Sequence, residues 1–161
     1  MYKLLWIMLM SVVWMVMHAL QTDEEMAMHA LYQGKHAVNR AAHAAAQQLD
    51  PAQLAEGHLY IEEEAAAEAA VHYLQQNMEL DENGDPLPGS YFQEGVELLA
   101  VDVINDGVSF PYLYRNNLYD YEVTLDKPGV VVIIGLKYPR VFSVLPPIEW
   151  TIKGTAELVG G

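Results

Sequence analysis

The chain has 161 residues, a length that allows one compact domain with an appendage. Its 22 acidic and 8 basic residues give a formal charge of −14, which disfavours binding to the phosphates of nucleic acids. Hydrophobic residues make up 52% of the chain, enough to exclude disorder of the whole molecule. The absence of cysteine excludes disulfide scaffolds, thiol catalysis and cysteine-based metal sites.

The first predicted element is a continuous apolar segment over residues 4–20, interrupted only by Ser11 and His18. Its length is near the lower limit for a helix that spans a bilayer. Lys3 precedes the segment and the acidic run 23–25 follows it, so the positive-inside rule predicts a cytoplasmic N-terminus and an extracytoplasmic remainder. The residues that we expect to form a membrane span or the core of an assembly are Leu4, Leu5, Trp6, Ile7, Leu9, Val12, Val13, Trp14, Val16 and Leu20.

A cleaved secretory signal is the alternative interpretation of this segment. Signal cleavage requires small residues at the first and third positions before the cut. For a cut after Ala19, the third position is the bulky Met17. We therefore expect the segment to be retained.

The helical pattern continues past the apolar segment. Between Thr22 and Leu49 the sequence has no proline and is rich in good helix formers. A single rod is therefore predicted, apolar in residues 1–20 and amphipathic in residues 21–50, and about 70 Å long. The apolar side of this helix contains Leu20, Ala27, Leu31, Val38, Ala41, Ala45 and Leu49.

Four histidines share the opposite, polar side of the predicted rod. His18, His29, His36 and His43 are spaced by eleven, seven and seven residues, steps that return to nearly the same angle on a helix. Seven-residue spacing places imidazoles about 10 Å apart, too far for one helix to chelate a metal. The histidine stripe is therefore either a solvated face or a pH-sensitive seam between subunits.

Residues 51–90 are predicted to hold a second helix and a loop. Asp50 and Pro51 suit the cap and first position of a helix, and the firmest helical pattern covers Ile61 to Met78. The following loop places oxygen side chains at Asp81, Asn83 and Asp85, a spacing that a calcium site uses. Pro86 and Phe92 occupy the positions of the required glycine and glutamate, so we favour a plain turn.

Residues 91–161 change to a β-branched and aromatic composition, which indicates strands. The first strand is expected from Val96 to Ile104, and residues 119–125 and 130–134 are expected to form a hairpin with a fully buried second strand. A last strand alternates through Ile148, Trp150 and Ile152. The predicted fold class is α+β, with a long N-terminal helix, a second helix and a C-terminal antiparallel sheet of about four strands.

No catalytic or cofactor motif occurs in the sequence, and we expect neither an enzyme nor a bound cofactor. The carboxylates that could in principle act as a general acid and general base pair are Asp102, Asp106, Asp120 and Glu122. Four tyrosines cluster in the predicted sheet: Tyr112, Tyr114, Tyr119 and Tyr121. They form either an aromatic surface for glycans or a partner, or ordinary packing within the sheet.

The architecture resembles the type IV pilin-like proteins, in which a short basic start precedes an apolar helix, an amphipathic continuation and a β-rich end. The alanine-rich stretch 37–46 is similar to that of the tight-adherence pseudopilins, the TadE-like proteins. The resemblance implies a bacterial cell-surface filament with a role such as adhesion, assembled by machinery from membrane-anchored subunits. Prepilins carry a leader and a glutamate at the fifth mature position, where this sequence has Leu5. Either the sequence is the mature form, or processing differs in this relative.

Two functions follow as expectations. In the first, the chain is a filament subunit whose N-terminal helices form the core of a homo-oligomer. In the second, it is a single-span anchored protein that presents its sheet domain to an extracytoplasmic partner or acts as a minor pseudopilin.

Overall fold

A single helix, α1, runs without interruption from Tyr2 to Ala46 in the computed structural model, which describes residues 2–105, 107–140 and 146–159. The predicted long N-terminal helix is confirmed. It passes through the junction of its apolar and amphipathic parts because no proline or capping signal occurs there. The remaining elements are α2 (Pro51–Ala55), α3 (Glu63–Met78), β1 (Val96–Ile104), β2 (Tyr112–Asn116), β3 (Tyr121–Leu125), β4 (Gly129–Tyr138) and β5 (Ile148–Glu157).

Side-chain hydrogen bonds mark the starts of α2 and α3. The Asp50 carboxylate accepts hydrogen bonds from the backbone N–H groups of Ala52 and Gln53 at 2.7 and 3.2 Å, so α2 begins at the expected corner. α3 begins two residues after the predicted Ile61. The N–H of Ile61 donates to Asn105 Oδ1 at 2.9 Å, and this bond holds Ile61 outside the helix.

The strands form two antiparallel sheets. The larger has the order β1-β4-β5, and β2 and β3 form a separate ribbon. The expected antiparallel sheet is confirmed, although it has five strands in two sheets. The expected hairpin between residues 119–125 and 130–134 is wrong, because β3 pairs with β2. β4 instead lies between β1 and β5.

β4 is buried on both faces, as predicted, since every residue from Gly129 to Ile134 is inaccessible. α1 and α3 cover one face of the larger sheet, and the β2–β3 ribbon covers the other. α1 approaches β5 closely, because a Cβ on Gly154 would lie 2.6 Å from Val38 Cγ1 and one on Gly34 would lie 2.7 Å from Ile152 Cδ1. The fold therefore anchors the C-terminal part of α1 to the sheet.

The buried side of α1 agrees with the predicted apolar side in most positions. Ala27, Val38, Ala41 and Ala45 are buried, and Leu31 and Leu49 are partly buried. Leu20 is 39% exposed and lies before the point where α1 meets the sheet, at the end of the predicted membrane or assembly segment.

Candidate assembly and membrane segment

The first part of α1, from Tyr2 to Met17, is exposed to solvent on all sides. Between Tyr2 and Met17 every large hydrophobic side chain is 48% to 71% exposed, and this range contains all the predicted assembly residues except Leu20. The most apolar 18-residue window has a mean hydropathy of 1.8 and no buried residue. The segment is thus long and apolar enough to cross a membrane once, and a signal sequence has the same properties.

The two polar side chains inside this segment, Ser11 and His18, both contact residues of α1 itself. The Ser11 hydroxyl donates to the carbonyl oxygen of Ile7 at 2.9 Å. The edge of the His18 ring meets Trp14, with ring centroids 4.4 Å apart. A helix that satisfies its own backbone and hydroxyl groups loses little when water is removed, so this surface suits lipid or other apolar helices.

α1 joins the fold at Asp23. This first residue of the acidic run 23–25 is 2% exposed, whereas Glu24 and Glu25 are exposed. Its Oδ2 lies 3.2 Å from Arg140 Nη1, at the end of β4. Burial, and next the charge of Asp23, raise the pKa of the neighbouring Tyr138 hydroxyl. This ion pair therefore marks the boundary between the solvent-exposed part of α1 and the part that packs on the rest of the fold.

The four histidines of the stripe are all exposed. His29 packs against Tyr91, with ring centroids 4.9 Å apart. His36 lines a polar cleft of about 540 Å³ beside Arg40, whose Nη1 donates to Asn77 Oδ1 at 2.7 Å. In the described ranges no three histidine, aspartate or glutamate side chains come close enough to hold a metal ion. The pH-sensitive seam stays the untested alternative to a solvated face.

The loop after α3 is closed by its own first carboxylate. Asp81 Oδ1 accepts hydrogen bonds from the N–H groups of Asn83 and Asp85 at 2.8 and 2.9 Å. The bond from Asp85, followed by that from Asn83, lowers the pKa of the Asp81 carboxyl. This is the geometry of a side-chain-stabilised turn. The sequence favours a plain turn over a calcium site here, and calcium binding by Asp81, Asn83 and Asp85 stays an untested alternative.

The tyrosine cluster packs on the β2–β3 ribbon. The rings of Tyr114 and Tyr121 lie 6.3 Å apart, and the hydroxyl of Tyr114 donates to Asp102. Burial and then this bond raise the pKa of Tyr114 to about 12. Glu122 pairs with Arg115 across the ribbon. The other two predicted acid–base candidates are Asp120, which lies in the turn before β3 with a positive φ, and Asp106, which lies outside the described residues.

Sequence reasoning missed the ion pair at the base of α1. Asp23 follows the same spacing as the buried Ala27, Ala30 and Gly34, so helical periodicity marks it as an inward position. Because Asp23 is charged, it does not count as an apolar residue, and the pattern of apolar residues alone does not mark it as buried. Arg140 carries no comparable pattern in the sequence.

Comparison with protein-family models, with curated proteins and with solved structures finds no match to this chain.

Proposed function

We propose that the chain is a pilin-like structural subunit of an extracellular cell-surface filament, assembled through the apolar half of α1. The observation that carries the proposal is the exposure of every large hydrophobic side chain between Tyr2 and Met17, beside a sheet domain that buries its own core. Apolar surface of this extent is unfavourable in water. The same segment of neighbouring copies would cover it, and head-to-tail contacts that do not close generate filaments.

Before assembly the subunit is held in the membrane by the same segment, with Lys3 on the cytoplasmic side and the sheet domain outside. A pilus assembly machine would then extract it. The order of a long helix, short helices and an antiparallel sheet supports the resemblance to type IV pilin-like and TadE-like proteins.

A second function is favoured by the flanks of the apolar segment. Lys3 on one side and Glu24 and Glu25 on the other delimit a length that one bilayer can cover. The chain would then be a single-span anchored protein that presents its sheet domain to an extracytoplasmic partner, or a minor pseudopilin.

The test is a variant that removes the apolar surface without touching the sheet domain, with Leu5, Val12 and Val16 replaced by Asp. All three side chains are more than half exposed and lie before the part of α1 that packs on the sheet, so their replacement leaves the core of the sheet domain intact. Leu118→Asp is the control, because Leu118 is 80% exposed in the turn between β2 and β3. Sheared material from cells is imaged by electron microscopy, and its protein is identified by mass spectrometry.

Filaments that contain the wild-type chain and the Leu118→Asp chain, and that disappear in the triple variant, are the expected result. Intact filaments from the triple variant would refute the assembly role of the segment. Wild-type chain that stays in the membrane fraction without any filaments would favour the anchored protein.

A further inference from the structure

A shallow cleft of about 600 Å³ lies on α1 directly after the apolar segment. Two of its side chains are apolar and open to solvent: Met28 is 44% exposed and Tyr32 is 60% exposed. The acidic side chains Glu24 and Glu25 lie beside them in the same cleft. The cleft is thus an exposed patch that combines apolar surface with negative charge.

Lipid does not suit this patch. With residues 4–20 in a bilayer, Tyr32 lies twelve helical residues beyond Leu20, a rise of about 18 Å from the hydrocarbon. The two glutamates between them would also be repelled by anionic headgroups. The patch therefore suits a protein surface that is apolar and carries positive charge.

The start of α1 is such a surface. Lys3 is the sole lysine or arginine in the first 34 residues, and it adjoins exposed apolar side chains. A lysine that enters a bundle of apolar helices needs a carboxylate, because an unpaired buried charge is strongly unfavourable.

α1 offers three carboxylates for such a pair. Asp23 is buried against Arg140 and is not accessible to a neighbour. Glu24 and Glu25 are exposed, and within the described part of the chain neither forms an ion pair.

We infer that, in the filament proposed above, the start of α1 of one copy docks on this patch of another copy. Lys3 pairs with Glu24 or Glu25 of the neighbour, and the first apolar turns of its helix cover Met28 and Tyr32. The two copies are then offset along the helix by 21 or 22 residues, about 32 Å. The contact joins different surfaces and displaces each copy along the helix axis, so it propagates and does not close into a ring. This inference rests on the proposed function.

Carbodiimide coupling of wild-type filaments tests the contact directly, because it forms an amide between a lysine and a carboxylate in an ion pair. Within one chain Lys3 and Glu24 are separated by 21 residues of uninterrupted helix, so they cannot be linked. A peptide containing Lys3 joined to a peptide containing Glu24 or Glu25 must come from two copies. Lys3→Arg is the control, since it keeps the charge and cannot form the amide under these conditions.

A variant with Glu24→Gln and Glu25→Gln measures the contribution of the pair without altering the basic residue that orients the span. Its matched control is Glu63→Gln with Glu64→Gln, which removes the same charge from exposed positions on α3. We expect the filament yield of the first variant to fall at least about tenfold, with the chain still present in the membrane, and the control to assemble normally.

Linked Lys3–Glu24 or Lys3–Glu25 peptides, with the expected loss of yield, support the contact. Filaments without that link, or a Glu24→Gln, Glu25→Gln variant that assembles at the wild-type level, overturn the contact and leave the filament function standing. If no filaments contain the chain, both the contact and the filament function fail.

Discussion

Arg140 Nη1 lies 3.2 Å from Oδ2 of Asp23, and the two residues are 117 positions apart in the sequence. The pair connects the point where α1 first packs on the rest of the fold to the segment directly after β4. A buried ion pair contributes little net stability relative to apolar residues, but loss of one partner leaves the other charge buried. Its position suggests a role in fixing how α1 sits on the sheet.

We predict that Arg140→Leu lowers the free energy of unfolding by about 3 kcal/mol, because it removes the guanidinium from a buried carboxylate. The double variant Asp23→Leu, Arg140→Leu should recover most of that loss. Denaturant unfolding of the full chain in detergent, followed by circular dichroism, gives both values. Glu24→Gln serves as the exposed control, and additive losses in the double variant would contradict the coupling.

We predict that Gly154→Ala destabilises the fold by about 1–3 kcal/mol, whereas Gly34→Ala is close to neutral. The new Cβ at Gly154 would meet the branched Val38 side chain at 2.6 Å and its backbone carbonyl carbon at 3.2 Å. At Gly34 it would meet the flexible ends of Ile152 and Leu136, and the higher helix propensity of alanine offsets that contact by about 1 kcal/mol. Thermal unfolding of both variants measures the difference, and equal losses would show that the contact at Gly154 is not tight.

We predict that stability falls as the pH rises from about 10 to about 12, in part through Tyr114. Its pKa is raised to about 12 in the folded chain, while an unfolded tyrosine titrates near pH 10. In that window the folded state holds the proton that the unfolded state has released, so a rising pH favours unfolding.

Tyr114→Phe should therefore show a shallower loss over this window, and the stability difference between the two chains should shrink as the pH rises. Unfolding midpoints at several pH values provide the comparison. Tyr73→Phe, at a 41% exposed position on α3, is the control and should follow the wild-type curve. A difference that stays constant up to pH 12 would show that the Tyr114 hydroxyl does not titrate differently in the two states.

Much of the helical half of the fold is predictable because its signals are local. The absence of breakers before Asp50 fixes α1 as one helix, and the heptad spacing of His29, His36 and His43 places them on one exposed side. Asp50 itself caps α2, as its position before Pro51 indicates.

The pairing of the strands is not local, and there the sequence misleads. The turn after β3 suggests that β3 and β4 form a hairpin, but a strand buried on both faces also needs layers above and below it. β3 is therefore not part of the larger sheet. It pairs with β2, and the two strands cover one face of β4.

The contacts that tie α1 to the sheet depend on residues distant in sequence. Gly34 lies against Ile152, and Asp23 lies against Arg140. No pattern along the sequence predicts either of these two pairings. The apolar segment of the candidate site, in contrast, is evident from composition alone.

The uninterrupted α1 has a mechanical consequence. No glycine or proline lies between Tyr2 and Gln33, so this part of α1 lacks the two residue types at which helices most often bend. A pull on its apolar end is transmitted along its axis into the sheet domain. The contacts that would receive this load are the Asp23–Arg140 pair and the close packing at Gly34 and Gly154, so several contacts would share it.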